Sequence, residues 1–288
     1  MLVFKNDKSI SPAFSLYLDI IRFFAAFAVF LHHLESYPFT NGTIWPILGS
    51  YGGIAVTIFF VLSGFVIAHV VATKEQNAPK YIIARVSRIY SVVIVALALT
   101  VALDNLGLLI NKEYYLNPKV MMKPQSVESY LYSFFFLNEY QIFDLGGISP
   151  GTNGPYWSLS FEVTYYLIAG LVLFFDRRLA IPLSILILFA AGRTIAILFP
   201  LWLLGYGLYH VRLKTVATTY LRIFSVVSLM LLFLTPLLVK IFPENNWNVF
   251  FPWGRSPFNR FVIKDYVAAI FLALHLLCTR EMLSSLDW

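Results

Sequence analysis

Arg22 with His33, Arg85 with Arg88, and Ser158 with Glu162 are the residues of this chain whose types and spacing can do chemistry. Arg22 and His33 stand in one apolar run, three helical turns plus about 20° apart, so one helix face carries both, about 16 Å apart along its axis. His32 points about 80° away from that face. Ser158 and Glu162 are i and i+4 and share a face of the helix that opens at Trp157. Arg85 and Arg88 are i and i+3 and place two guanidinium forks on one side of a turn, a geometry suited to phosphate. Imidazole accepts a proton near neutral pH, a carboxylate fixes its tautomer, and arginine stabilises negative charge. Each pair also has a plainer reading. Arg22 can snorkel to headgroups with His33 in the interface, Ser158 can cap its helix while Glu162 complements the dipole, and the paired arginines can be ordinary inner-face charge.

The elements that position these groups must lie in a membrane. Of 288 residues, 59% are hydrophobic and 12% charged, against about 25% charged in soluble domains. With 27 Phe and 17 Tyr beside 21 basic and 15 acidic residues, the chain cannot cover a water-facing surface of its own size. A soluble enzyme, a disordered tail and a disulfide scaffold are excluded, the last because Cys278 is the sole cysteine. The net charge of +6 is scattered without a dense basic run, so nucleic acid is not expected as a partner.

A crossing helix needs about 20 mostly apolar residues. The runs 17–34, 52–72, 89–110, 157–175, 179–191, 194–211, 220–241 and 266–278 are read as spans, about eight in all. The fold expected is all-α, a polytopic transmembrane helix bundle forming a single integral membrane domain over residues 1–288. Gly192-Arg193 separates two of the runs so closely that they are expected to form a tight helical hairpin. The apolar run 129–137 is too short to span and reads as interfacial or re-entrant. The first run carries Arg22 and no small-residue cleavage site follows, so it is retained rather than cleaved as a secretory signal. With a cytoplasmic amino terminus, the stretches 111–127, 138–156 and 242–264 face outward, and Glu162 falls at the depth of His33 at the outer end of the first helix. The basic loop 74–88, with Arg85 and Arg88, then lies on the cytoplasmic face.

Four segments, LDIIRFFAAFAVFLHHL, GGIAVTIFFVLSGFVI, ARVSRIY and YWSLSFEVTYYL, occur in an order and spacing that resembles the acyltransferase 3 family of membrane O-acyltransferases. The family's Arg-x10-His pattern falls on Arg22 and His33, its Arg-x-x-Arg on Arg85 and Arg88, and its Trp-Ser-Leu-x-x-Glu on Trp157, Ser158, Leu159 and Glu162. The motifs cover residues 15–178, and general hydropathy supports the rest. The resemblance implies a ten-helix, multi-pass protein of the bacterial inner (plasma) membrane. It moves an acyl group, usually acetyl, from cytoplasmic acyl-CoA to a hydroxyl of an envelope polysaccharide or related glycan. Acyl-CoA is then a co-substrate, with no tightly bound cofactor and no metal. Ile20 and Ser91 stand where relatives often have Gly and Pro. Relatives also continue past the point matching Trp288 with a Ser-Tyr-x-x-Tyr-Leu-x-His-like segment and two helices, so the expectation is a domain lacking those two.

Acyl transfer to an alcohol needs a base for the hydroxyl proton, and His33 is the candidate, with Glu162 or another acceptor fixing its tautomer. Arg22, Arg85 and Arg88 are candidates to hold the donor. Direct transfer and a relay through an acyl-histidine or acyl-Ser158 both remain open. A transporter or channel lined by Arg22, His33 and Glu162 is the rival reading, and an inactive acyl-CoA-binding scaffold is a third. His69, His210 and His275 lie apart without ligand-spaced neighbours and read as packed or interfacial. Trp202, Trp247 and Trp253 read as headgroup anchors.

Overall fold

Uninterrupted apolar length becomes helix almost everywhere it occurs. The computed structural model describes residues 2–4, 10–36, 51–115, 126–143, 147–213, 216–241 and 260–284. In chain order the elements are β1 (Leu2–Phe4), α1 (Pro12–Ser36), α2 (Gly52–Thr73), α3 (Ala78–Ile110), α4 (Lys112–Tyr115), α5 (Val127–Phe134), α6 (Trp157–Phe174), α7 (Arg177–Ala191), α8 (Arg193–His210), β2 (Val211–Leu213), α9 (Thr218–Leu238) and α10 (Arg260–Leu283). Among the described residues six helices are long and apolar enough to cross a membrane: α1, α2, α3, α6, α9 and α10. The protein is an all-α polytopic bundle. Of the eight runs read as spans, two are not among the six: 179–191 becomes α7, whose 15 residues reach about 22 Å and fall short of the hydrocarbon core, and 194–211 becomes α8, whose 18 residues include Arg193 and His210. Trp247 and Trp253 lie outside the described residues.

Two compact units form, residues 1–74 with 198–288, and residues 75–197. In the first, α9 and α10 pack along each other and α2 packs on both α1 and α10. The backbones of α2 and α8 cross where neither helix carries a side chain. A Cβ on Gly64 would stand 1.9 Å from the Trp202 carbonyl oxygen, and one on Gly205 1.9 Å from that of Val61, the small-residue approach that membrane helices use in place of a hydrophobic driving force. Trp202 is buried there and its Nε1 donates to Ser63 Oγ at 3.1 Å. It is therefore a core residue, because α8 runs straight through it, and not the headgroup anchor expected from the sequence. The carboxyl end of α8 is closed by Arg280 of α10, whose Nη1 donates to the carbonyls of Leu208 (3.0 Å) and Tyr209 (3.3 Å) while Nη2 donates to that of Val211. That buried charge satisfies carbonyls that a helix terminus leaves orphaned. β2 continues from this end and pairs antiparallel with β1.

In the second unit α3 is the spine. Asn77 caps it by accepting from the Lys80 amide at 3.1 Å, and no helix breaker interrupts it as far as Ile110. Its 33 residues make about 50 Å of helix. Arg85 and Arg88 therefore sit on helix, which corrects the loop read for 74–88. Val93 and Leu97 of α3 pack with Phe136 and Tyr156 around a core that Leu159 and Val163 of α6 complete. The short α5 is closed by a capping box between Ser126 and Ser129 and ends at Phe135. Its eight residues cannot span, as the brevity of 129–137 predicts. The 96° φ of Gly192 joins α7 to α8. In this unit α7 lies along α6, and the unit boundary cuts α8 after Ile197.

Candidate functional site

Arg22 and His33 both project from α1. Arg22 is partly exposed and Nη1 donates to Asp19 Oδ1 one turn earlier at 2.8 Å. His33 is half-buried, with its ring 5.1 Å from that of His32 in an edge-on arrangement. His32 does not simply point away. Its ring covers Gly52, where a Cβ would stand 2.4 Å from His32 Cγ. The next residue, Gly53, faces α10: a Cβ there would lie 3.1 Å from Lys264 Nζ and 3.6 Å from Asp265 Oδ1. The end of α1 and the starts of α2 and α10 thus gather His32, Lys264 and Asp265 about a pair of glycines, with His33 against the His32 ring. Asp265 Oδ1 is buried and without a hydrogen-bond partner among the described residues. Tyr51, the residue before α2, supplies no side-chain cap. Sequence reasoning missed Lys264 and Asp265, because nothing in their own neighbourhood marks them. Only the packing of α10 on α2 brings them to the histidines.

The second unit holds the other candidates. Arg85 is 8% exposed, and its Nη2 donates to Glu75, also buried. Its guanidinium carbon lies 5.8 Å from the ring centre of Tyr81 and 5.5 Å from that of Tyr166. Among the described residues, Arg85 Nε and Nη1 and Glu75 Oε2 have no hydrogen-bond partner. Arg88, one turn on, is exposed. The two arginines therefore do not form one fork. The side of α3 carrying Arg85 is packed on α6, and Arg88 falls outside that contact.

Tyr166 Oη donates to Glu162 Oε1. A chain of contacts therefore runs from Glu75 through Arg85 and the Tyr166 ring to Glu162. One tyrosine joins Arg85 to Glu162. Ser158 Oγ donates to the Pro155 carbonyl at 3.3 Å and neither caps α6 nor bonds Glu162.

The approach to α6 is held by Asp104, buried on α3 and overlooked in the sequence. Its Oδ2 accepts from the Thr152 amide at 2.9 Å and its Oδ1 from the Thr152 hydroxyl at 2.5 Å. Asn153 Nδ2 donates to Thr100 at 3.1 Å. Gly151 adopts φ 57°, and a Cβ there would stand 2.0 Å from Asp104 Oδ2. On the far side of α6 from Glu162, Tyr140 bonds Thr164 at 3.0 Å, and burial pushes its phenol up, so it stays protonated. His33 belongs to the first unit and Glu162 to the second, and each is described within its own. Among the described residues no group of three or more His, Cys, Asp or Glu is placed to hold a metal.

Six helices long and apolar enough to cross a membrane define a polytopic membrane protein. Residues 15–278 match the acyltransferase domain of the acyltransferase 3 family, and the chain belongs to that family. The match runs well past residue 178, where the recognisable motifs stop. The protein is thus a membrane acyltransferase. No curated protein and no solved structure matches the chain.

Proposed function

We propose that the protein transfers an acyl group, acetyl in the simplest case, from cytoplasmic acyl-CoA to a hydroxyl of an envelope polysaccharide or related glycan in the bacterial inner membrane. The observation that carries this reading is the setting of His33. It is a half-buried imidazole against the ring of His32, which covers Gly52 at the start of α2, with Lys264 and Asp265 at the next residue, Gly53.

In the proposed step the His33 imidazole takes the proton of the acceptor hydroxyl as its oxygen attacks the thioester carbonyl carbon. The C–S bond breaks, and the coenzyme A thiolate leaves and recovers the proton. Arg22, Arg85 and Arg88 are assigned to the donor. Exposed Arg88 is the cation that a phosphate can reach, and Arg85, buried one turn earlier beside Glu75, adds its charge behind it. An exposed guanidinium suits phosphate. Glu162 and Ser158 are assigned to the reaction as polar groups of the second unit.

The test is transfer of labelled acetyl from acetyl-CoA to membrane glycan in vesicles. Arg88→Ala raises the apparent donor KM more than it lowers turnover, and an unchanged donor dependence counts against phosphate binding.

A further inference from the structure

The first unit contains a cavity of about 550 Å3 that the acyl-transfer reading does not use. Its walls come from α1, α2, α9 and α10, and include Ile21, Phe24, Ala28, Ile54 and Leu232. The α1 residues that line it lie about 60° to 160° round the helix from Arg22, so the cavity is centred away from the Arg22–His33 face. From Tyr17 to Ala28 it follows α1 for about 16 Å. The volume falls in the range of small-molecule sites, about 300–1,000 Å3, which are apolar with a few placed polar groups.

The placed polar group here is a pair. Tyr17 Oη lies 2.5 Å from His275 Nε2. His275 Nδ1 lies 2.9 Å from the Ser225 carbonyl, which only accepts, so Nδ1 carries the proton and Nε2 accepts from the tyrosine. Ser225 in turn bonds Thr279 at 2.9 Å. With its proton committed to His275, the Tyr17 oxygen still offers lone pairs to a ligand.

What enters is decided by the surroundings. Phe24 and Phe233, at the rim, are 61% and 58% exposed on spanning helices, so the opening faces hydrocarbon. Tyr17 stands about 8 Å from the start of α1, near one membrane surface, and the cavity runs inward from it. We propose that this cavity is a binding site for one bilayer glycerolipid, with its polar glycerol region at Tyr17 and one acyl tail lying along α1 toward Ala28. A tail matches the apolar walls, and the single polar pair sits at the depth of the headgroup boundary.

The full chain, extracted from vesicles of phosphatidylethanolamine and phosphatidylglycerol, is tested by native mass spectrometry for lipid retained through detergent exchange. The wild type keeps one phospholipid per protein. Ala28→Trp, which fills the tail path, loses it, and Tyr17→Phe, isosteric and without the hydroxyl, releases it about three- to tenfold faster. Phe27→Trp, on the exposed side of α1, changes nothing. Equal retention in wild type, Ala28→Trp and Tyr17→Phe overturns the proposal, as does a retained mass that is acyl-CoA or free fatty acid. His33→Ala keeps the lipid, so loss of transfer activity and loss of the lipid are separate results.

Discussion

Arg85 and Glu162 are joined through a single side chain, Tyr166, whose ring faces the guanidinium and whose hydroxyl donates to the carboxylate. Arg85 is level with the middle of α6, on a helix long enough to span, and such a charge persists only because Glu75 and two aromatic rings surround it.

Arg85→Ala leaves the Glu75 carboxylate buried and unpaired, and is expected to destabilise the second unit by about 3–5 kcal/mol. Combining Arg85→Ala with Glu75→Ala recovers much of that loss. Arg88→Ala, at an exposed position, stays within about 0.5 kcal/mol of wild type. Unfolding midpoints of the full chain in detergent measure all three. Equal costs for Arg85→Ala and Arg88→Ala contradict the buried pair.

Glu162→Gln keeps the shape but removes the charge that the Tyr166 hydroxyl meets. If Glu162 serves the reaction, turnover falls about a hundredfold. Tyr166→Phe, which removes only the hydroxyl, lowers it less. Initial rates of labelled acetyl transfer give the order, and unchanged rates in Glu162→Gln remove that carboxylate from the chemistry.

Gly151→Ala places a Cβ 2.0 Å from Asp104 Oδ2 on backbone at φ 57°. The Thr152 contacts are lost with it, and a cost of about 1–3 kcal/mol is expected. Protease sensitivity at residues 147–153 checks this. A variant as resistant as wild type shows that Asp104 does not pin the approach to α6.

Gly205→Leu forces α8 off α2, because the space a side chain needs is filled by the Val61 carbonyl. Overpacking of this kind costs about 1–3 kcal/mol. Size-exclusion profiles of the detergent-solubilised chain should show aggregation, where Gly207→Leu, with nothing within 4 Å of its Cβ position, elutes as wild type.

The helices were legible in the sequence wherever apolar length alone decides them, as in α2 and α9, while α10 runs well beyond the 266–278 read for it at both ends. What was not legible depends on distant partners. Local charge reads 74–88 as a loop, yet Asn77 caps a helix there and Glu75 with Tyr166 holds Arg85 inside it. Trp202 carries the composition of an interfacial anchor and becomes core because Gly64 and Gly205 let two backbones meet. Asp104 and Asp265 have no motif about them. Thr152 lies far along the chain from the first, and Gly53 farther still from the second. Motif spacing did place Arg22 and His33 on one helix and bring out Glu162, while their chemical roles rest on the proposed reaction.

The most direct test of that reaction is transfer of labelled acetyl from acetyl-CoA to glycan in vesicles carrying His33→Ala, with wild type and His32→Ala alongside. The account predicts that His33→Ala loses transfer by at least about a hundredfold, with protein level and unfolding midpoint unchanged, and that His32→Ala retains part of it. Turnover near wild type in His33→Ala would contradict the assignment of the base.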